Sequence, residues 1–423
     1  MQQEILSIAK GPVARVQLDY LDGLRGVAAL FVVLGHACQF YLMTPLLKDD
    51  TPSLVSHTIS VAYGCCFTHG HYAVDLFIIL SGYCLMLPIA RSPDGRMVGG
   101  FFPYIKRRAR RILPPYYAAL LFCLALIAFV PGMNTPADSW WDRCLPAFRP
   151  GVLISHLFLL HNHSPAWDTK IDSPMWSIAV EWQIYFLFPL LLLPAWRSLG
   201  SVAVVGLAYA MGVGCSYMRP NPGGDYAWLV GLFAMGMVGA VVSVGTGVRE
   251  CQWRERIAWG KTAAVLSGII VIWNVLQRAA WQHVSALHWI RLETWGSEWP
   301  MDLLVGGAAA CLLIHLRQCA TPDRPGRPSR LLQMLHSPKV VALGLFSYSL
   351  YLTHAPVLEL MHLSSRRMHL GSTAAGLFLF LGAVPLAVLV AYLFHLVFER
   401  PFMTSHMRTA AKRLGTQSSG AAT

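Results

Sequence analysis

Arg25 and His36 lie eleven residues apart in the apolar run LRGVAALFVVLGHACQFYL. At about 100° per residue that spacing is three helical turns plus roughly 20°, so both side chains leave one face of a helix, about 16 Å apart along its axis. A cation and an imidazole inside a bilayer are costly unless they face a polar interior, and an imidazole there can serve as general base or nucleophile. The same stripe also arises if Arg25 snorkels to the interface and His36 hydrogen-bonds a neighbouring helix. A second stripe lies in SPMWSIAVEWQIYFLFPLLL, where Ser177, Glu181 and Tyr185 follow at i−4, i and i+4. An acid at that depth is protonated, paired or turned to a hydrated cavity; its plainer role is an interhelical hydrogen bond.

Further polar groups interrupt other apolar runs. Tyr348, Tyr351 and His354 in SYSLYLTHAP share one side of a helix, with His354 expected towards the outer face. Asp75 sits in the run that continues to Ser81-Gly82-Tyr83, with His69 and His71 just outside it. Ser81-Gly82 reads as a small-residue packing notch, since no G-x-S-x-G elbow surrounds it. In FFPYIKRRARRILPPYY, Arg108 and Arg111 are three apart and share a helix face. Guanidinium forks of this kind hold phosphate bidentately; as a plain topology anchor the same cluster would touch anionic lipid. Glu399-Arg400-Pro401 closes the last run and reads as an internal ion pair, while His161 and His163 in LLHNHSPAW read as solvated loop residues.

The elements that position these groups are membrane helices. The chain has 423 residues, 55% of them hydrophobic and 13% charged, with a mean hydropathy of +0.49. That balance excludes an ordinary soluble domain and fits an all-α polytopic membrane protein. Apolar runs at 24–42, 71–90, 112–131, 174–194, 200–217, 227–246, 262–277, 299–317, 341–361 and 373–396 predict about ten transmembrane helices, the one at 262–277 marginal. The run 152–161 is too short to cross and is expected to lie in the interface.

Arg91, Arg96, Lys106, Arg107, Arg108, Arg110 and Arg111 crowd into 91–111, so the positive-inside rule puts both termini in the cytoplasm. Arg25 then lies near the cytoplasmic face and His36 deeper, towards the outer leaflet. The expected organisation is a cytoplasmic segment 1–23, one membrane domain 24–401 and a polar cytoplasmic tail 402–423. No cleavable signal peptide is expected, the first apolar run itself directing insertion. The net charge of +12 falls in short loops and does not imply nucleic-acid binding. Ten scattered cysteines show neither a disulfide framework nor zinc-ligand spacing, and no metal is expected.

Taken in order, these pieces resemble the acyltransferase-3 family of bacterial integral-membrane O-acyltransferases. The matching elements are LDGLRGVAALFVVLGH with its R-x10-H spacing, VDLFIILSGY, RRARRILPPYY, MWSIAVEWQIYFLFP, FSYSLYLTH and the closing ERP, spread over about residues 18 to 402. The resemblance implies that His36 is essential for transfer and that Arg25 pairs with it. It also implies that Arg108 and Arg111 contact an acyl-CoA, and that Glu181 is the acid of the W-S-x-x-x-E segment. It implies acyl transfer, often of acetyl, from cytoplasmic acyl-CoA to an extracytoplasmic hydroxyl on a glycan, glycolipid or glycosylated small molecule. The cofactor expectation is acyl-CoA as co-substrate, with nothing tightly bound; the partners are that donor, the acceptor and the bilayer of the bacterial cytoplasmic membrane. Without a fused periplasmic domain the chain resembles the stand-alone type. Family members commonly carry Phe where Ile78 and Tyr83 stand here.

On this reading coenzyme A phosphates dock on Arg108, Arg111 and Arg25, and a pantetheine-length slot leads to His36. Glu181 or Asp75 orients the base or the acceptor, and Ser177, Tyr185, Tyr351 and His354 line the substrate path. The rival reading is a proton-coupled transporter or flippase of a glycan or glycolipid, since intramembrane His, Glu and Asp also build proton relays; no inverted repeat or matched pair of broken helices supports it. Haem ligation by His36 is a weaker third reading. Trp140, Trp141, Trp167, Trp281, Trp289 and Trp295 in the outer loops 132–170 and 278–298 could stack on sugar rings, or form the interfacial aromatic belt.

Overall fold

A computed structural model describes residues 18–43, 54–67, 69–218, 226–281, 298–321 and 329–403. The expected segment before residue 18, the tail beyond 403, and Trp289 and Trp295 lie outside the described residues. Among the described residues the chain is all-α with no strand. In chain order the helices are α1 (Asp19–Leu42), α2 (Leu54–Ala62), α3 (Tyr72–Arg91), α4 (Phe101–Phe129), α5 (Pro150–Leu157), α6 (Ser173–Leu199) and α7 (Ser201–Tyr217). There follow α8 (Leu229–Val244), α9 (Val248–Arg256), α10 (Trp259–Trp281), α11 (Trp299–Cys319), α12 (Arg330–Leu335), α13 (Pro338–Leu345), α14 (Ser347–Arg367) and α15 (Ser372–Phe402).

All ten apolar runs are helical. Among the described residues seven helices are long and apolar enough to cross a membrane, and up to nine spans result if two bent pairs each count as one. The remaining run, α7, is a shorter apolar helix. The marginal run at 262–277 belongs to a full-length helix, α10, which is almost wholly exposed along its most apolar stretch and so sits at the lipid periphery.

One run, 227–246, ends in a sharp turn, and one expected as a straight span, 341–361, is broken near its start. α8 turns by 91° into α9, and α13 turns by 72° into α14. A break frees helix-terminal carbonyls, which need donors. At the first, Arg254 donates through Nε to the Val242 carbonyl at 2.7 Å and through Nη2 to that of Gly245. At the second, Ser347 Oγ donates to the Gly344 carbonyl at 2.8 Å. Apolar-run counting cannot register the second break, because LGLFSYSLYL stays largely apolar through it, whereas the polar α9 lies beyond the first run.

Helix α1 is the axial element, packed against α3, α13 and α14. Its closest approach uses glycine: a Cβ on Gly26 would press on the backbone of Val340 and Gly344, and one on Gly344 would press on Asp22. Small residues at helix crossings let backbones touch where lipid supplies no hydrophobic drive. Gly82 of α3 and Gly236 of α8 make a second such crossing, each facing the other helix's backbone, so the expected packing notch at Gly82 is present. These two contacts fix the height and rotation of the helices that carry Arg25 and Ser81.

Candidate active site

A cavity of about 310 Å³ lies among α1, α3, α4, α6 and α14. Its wall gathers Arg25, Arg108, Arg111, Ser177, Glu181, Tyr185 and Tyr351, seven of the ten residues singled out from sequence. Helix α4 begins at Phe101, about three turns before the apolar run at 112, so Arg108 and Arg111 project from a rigid helix. Arg25 is held by Asp22, Nη1 to Oδ1 at 2.7 Å, and Nη2 lies 3.2 Å from Cys84 Sγ. Arg108 stacks its guanidinium 5.9 Å from the Tyr185 ring centroid, and its Nε is buried with no partner among the described residues. Three guanidinium groups thus face one space that holds two carboxylates, Asp22 and Glu181. The surplus is cationic, and an orphaned buried donor wants an acceptor.

Glu181 is the hub of the opposite wall. Ser81 Oγ and Tyr185 Oη both donate to its Oε1, each at 2.5 Å. Ser81 was read from sequence as packing only; it is also a polar member of the site, one residue from the Gly82 notch. The signal that could have found it is the mean helical direction shared with Cys84 and Leu85, which line the same cavity. Ser177 Oγ shares a 2.7 Å hydrogen bond with Tyr351 Oη, which donates to the Pro174 carbonyl at 3.0 Å.

His36 does not line this cavity; it lies beyond Tyr351, whose ring centroid is 6.0 Å from that of His354. His36 Nδ1 is 2.7 Å from His354 Nε2, with the two rings stacked at 5.0 Å. His354 Nδ1 faces the carbonyls of Leu350 and Tyr351 at 3.0 and 2.8 Å. Carbonyls only accept, so Nδ1 of neutral His354 carries the proton and its Nε2 accepts from His36 Nδ1–H. His36 therefore keeps its lone pair on Nε2, the nitrogen a general base uses. His354 is fully buried and does not line the cavity; its ring faces His36. Trp140 packs against the dyad, its ring 4.8 Å from His36, and the Arg143 guanidinium also lies 4.8 Å from that ring. Trp140 and Trp141 are both buried, Trp141 donating Nε1–H to the Met133 carbonyl at 3.1 Å, so neither faces lipid as a belt residue.

Three further expectations are corrected. Asp75 faces away from the cavity: it is buried beside His71 and Asp302, whose ligand-type atoms lie within 4.8 Å of one another. Glu399 takes Ser349 Oγ at 2.6 Å and His395 Nδ1 at 2.8 Å as partners in place of Arg400. His161 is not solvated: it is buried and stacks on His156 with centroids 3.9 Å apart.

The all-helical fold, with several helices apolar enough to cross a membrane, thus sets a half-buried histidine beyond a cationic cavity, the arrangement of an integral-membrane protein with a polar interior. Residues 18–396 match the acyltransferase domain that typifies the acyltransferase-3 family, and the chain belongs to that family. It is 29% identical over 169 residues, 39% of this chain and 74% of the relative, to protein 2 in the picA locus of Rhizobium radiobacter. It is 26% identical over 219 residues to a putative peptidoglycan O-acetyltransferase of Bacillus subtilis, covering 48% of this chain and 29% of the relative. To a peptidoglycan O-acetyltransferase of Listeria monocytogenes it is 22% identical over 358 residues, 82% of this chain and 50% of the relative. The chain thus spans half or less of the two named O-acetyltransferases. No solved structure matches it.

Proposed function

We propose that this protein is a membrane O-acyltransferase that moves an acyl group, acetyl in the simplest case, from coenzyme A to a hydroxyl of a glycan or glycosylated small molecule. The observation that carries this reading is the pairing of a three-arginine cavity with a tautomer-locked His36 beyond it. The basic stretch 91–111 favours a cytoplasmic position for Arg108 and Arg111, with His36 towards the outer leaflet of a bacterial cytoplasmic membrane and both termini inside. Phosphate groups of the donor would meet the Arg108 and Arg111 forks. The pantetheine arm has a reach comparable to the roughly 16 Å between Arg25 and His36 along α1.

At the thioester, His36 Nε2 takes the proton of the acceptor hydroxyl while its oxygen attacks the acyl carbon. The carbon–sulfur bond then breaks, and the imidazolium returns its proton to the departing thiolate. The Bacillus and Listeria relatives, named as peptidoglycan O-acetyltransferases, support acetyl as the group and a glycan hydroxyl as the acceptor. Membranes containing the protein, given coenzyme A labelled in its acetyl group, should transfer label to a glycan fraction. Label release no greater than in membranes lacking the protein would refute the donor. The acceptor is read separately, by mass spectrometry of surface glycans with and without the gene.

A further inference from the structure

The buried cluster at the starts of α3 and α11 plays no part in that chemistry. His71 precedes α3, Asp75 lies in its first turn and Asp302 in the first turn of α11. Asp75 and Asp302 are both about 1% exposed. Two carboxylates so placed repel each other and have lost most of their hydration, which demands compensation. Some is present: Trp228 Nε1 donates to Asp302 Oδ2 at 2.7 Å, and His71 Nε2 lies 3.0 Å from Asp302 Oδ1. Asp75 Oδ2, however, is buried with no partner among the described residues. A buried carboxylate oxygen without a donor is rare and points to something further between these groups.

We propose that His71, Asp75 and Asp302 bind one divalent transition-metal ion of the Zn²⁺ type, which clamps the outer end of α3 to that of α11. One imidazole nitrogen and two carboxylate oxygens form a three-ligand set suited to zinc, with a fourth position for water. Glu298, whose Oε2 is 3.5 Å from His71 Nε2 and which is partly exposed, can fill that position instead. The borderline-soft imidazole disfavours Ca²⁺ and Mg²⁺, which want six or more oxygens. Ligand atoms of a tetrahedral site with bonds of about 2.1 Å stand roughly 3.4 Å apart. A trio already within 4.8 Å needs only side-chain adjustment to reach that. The bound ion would replace the His71–Asp302 hydrogen bond, neutralise both acids and give Asp75 Oδ2 its partner. Trp228 would keep hold of the second oxygen of Asp302, the outer support that metal carboxylates commonly have.

The test uses the full chain purified in detergent, stripped with EDTA, reloaded with Zn²⁺ alone and desalted. About one equivalent of zinc per chain is expected by elemental analysis, with a rise in melting temperature of several degrees. Co²⁺ in its place should give the visible absorption of a tetrahedral site. Asp302→Asn and His71→Gln should each lower zinc affinity at least tenfold; His71 is partly accessible, so the second variant keeps the experiment readable if the first fails to fold. Zinc content equal in wild type and in His71→Gln overturns the proposal. So does a stripped wild-type chain that takes up no metal while Asp75→Asn melts at an unchanged or higher temperature, the behaviour of two acids sharing a proton.

Discussion

His36 Nδ1 and His354 Nε2 stand 2.7 Å apart, 318 residues distant in sequence and on two different helices. Because the other nitrogen of His354 is committed to backbone carbonyls, the pair has a direction: His354 accepts, His36 donates, and basicity is delivered to His36 Nε2. This is the arrangement of a base held in one tautomer by a supporting group. His36→Ala should lower acyl transfer by about 10²–10⁴-fold, the usual worth of a general base, with membrane yield unchanged. His354→Phe keeps the ring but removes the acceptor. It should lower kcat by about 10–100-fold with little change in the KM for acyl-CoA, and shift the acidic limb of the pH–rate profile. An unchanged profile together with unchanged kcat would leave His354 a packing residue.

The arginines should separate from the histidines kinetically. Arg108→Gln and Arg111→Gln remove forks that face the cavity without touching His36, so the main effect falls on the KM for the donor. A loss of about 1.5–3 kcal/mol per charged hydrogen bond is roughly a 10–100-fold rise. Lysine should restore little at 108, where the guanidinium plane also lies near Tyr185. Identical donor KM values in the variants would reduce both arginines to topology anchors.

Ser81 and Tyr185 donate to a single oxygen of Glu181, so their effects should not add. Ser81→Ala leaves Tyr185 to hold the carboxylate, and Tyr185→Phe leaves Ser81; removing both should cost more than the sum. The expected coupling is about 0.5–3 kcal/mol in kcat/KM. Strictly additive losses would mean that the two hydroxyls act independently of Glu181.

Much of this site could be read before the fold was known, for an identifiable reason. Arg25 with His36, and Ser177 with Glu181 and Tyr185, each lie on one helix, where spacing alone dictates a shared face. What spacing cannot supply is which faces meet. His354 reads equally well as a substrate contact or as a partner for His36, and only the crossing of α1 and α14 decides. Asp75 reads from sequence as an intramembrane acid that orients the base or the acceptor. Yet its side chain leaves α3 on the face towards α11, where Asp302 is an ordinary first-turn acid in sequence. The packing of Trp140 against His36 was missed for a different reason: Ser139-Trp140-Trp141-Asp142 looks like an interfacial loop. A capping box between Ser139 and Asp142 instead folds it into a short helix that buries both tryptophans. Polar His161 was misplaced likewise, since the loop LLHNHSPAW carries no hydropathy signal for burial.

That misplacement has a consequence for stability. His156 and His161 are buried outside the spanning helices, and loss of hydration lowers their basicity, His156 to about 4 and His161 to about 3. In the unfolded chain both titrate near 6.5. Above that pH both are neutral in either state, and their contribution to stability is fully present. As pH falls below about 6.5 the unfolded chain takes up two protons that the folded one refuses, so stability drops until pH nears 4. The slope approaches about 2.7 kcal/mol per pH unit for the pair. The melting temperature of the detergent-purified protein should therefore fall steeply between pH 6.5 and 4.5. The ring nitrogens of His161 make no well-aligned hydrogen bond among the described residues and only approach the backbone of Ser155 and Met175, so His161→Phe preserves the stack on His156 at little polar cost. That variant should melt at or above the wild-type temperature at pH 5 and show about half the wild-type slope. A slope as steep as that of the wild type would place the acid-sensitive group elsewhere.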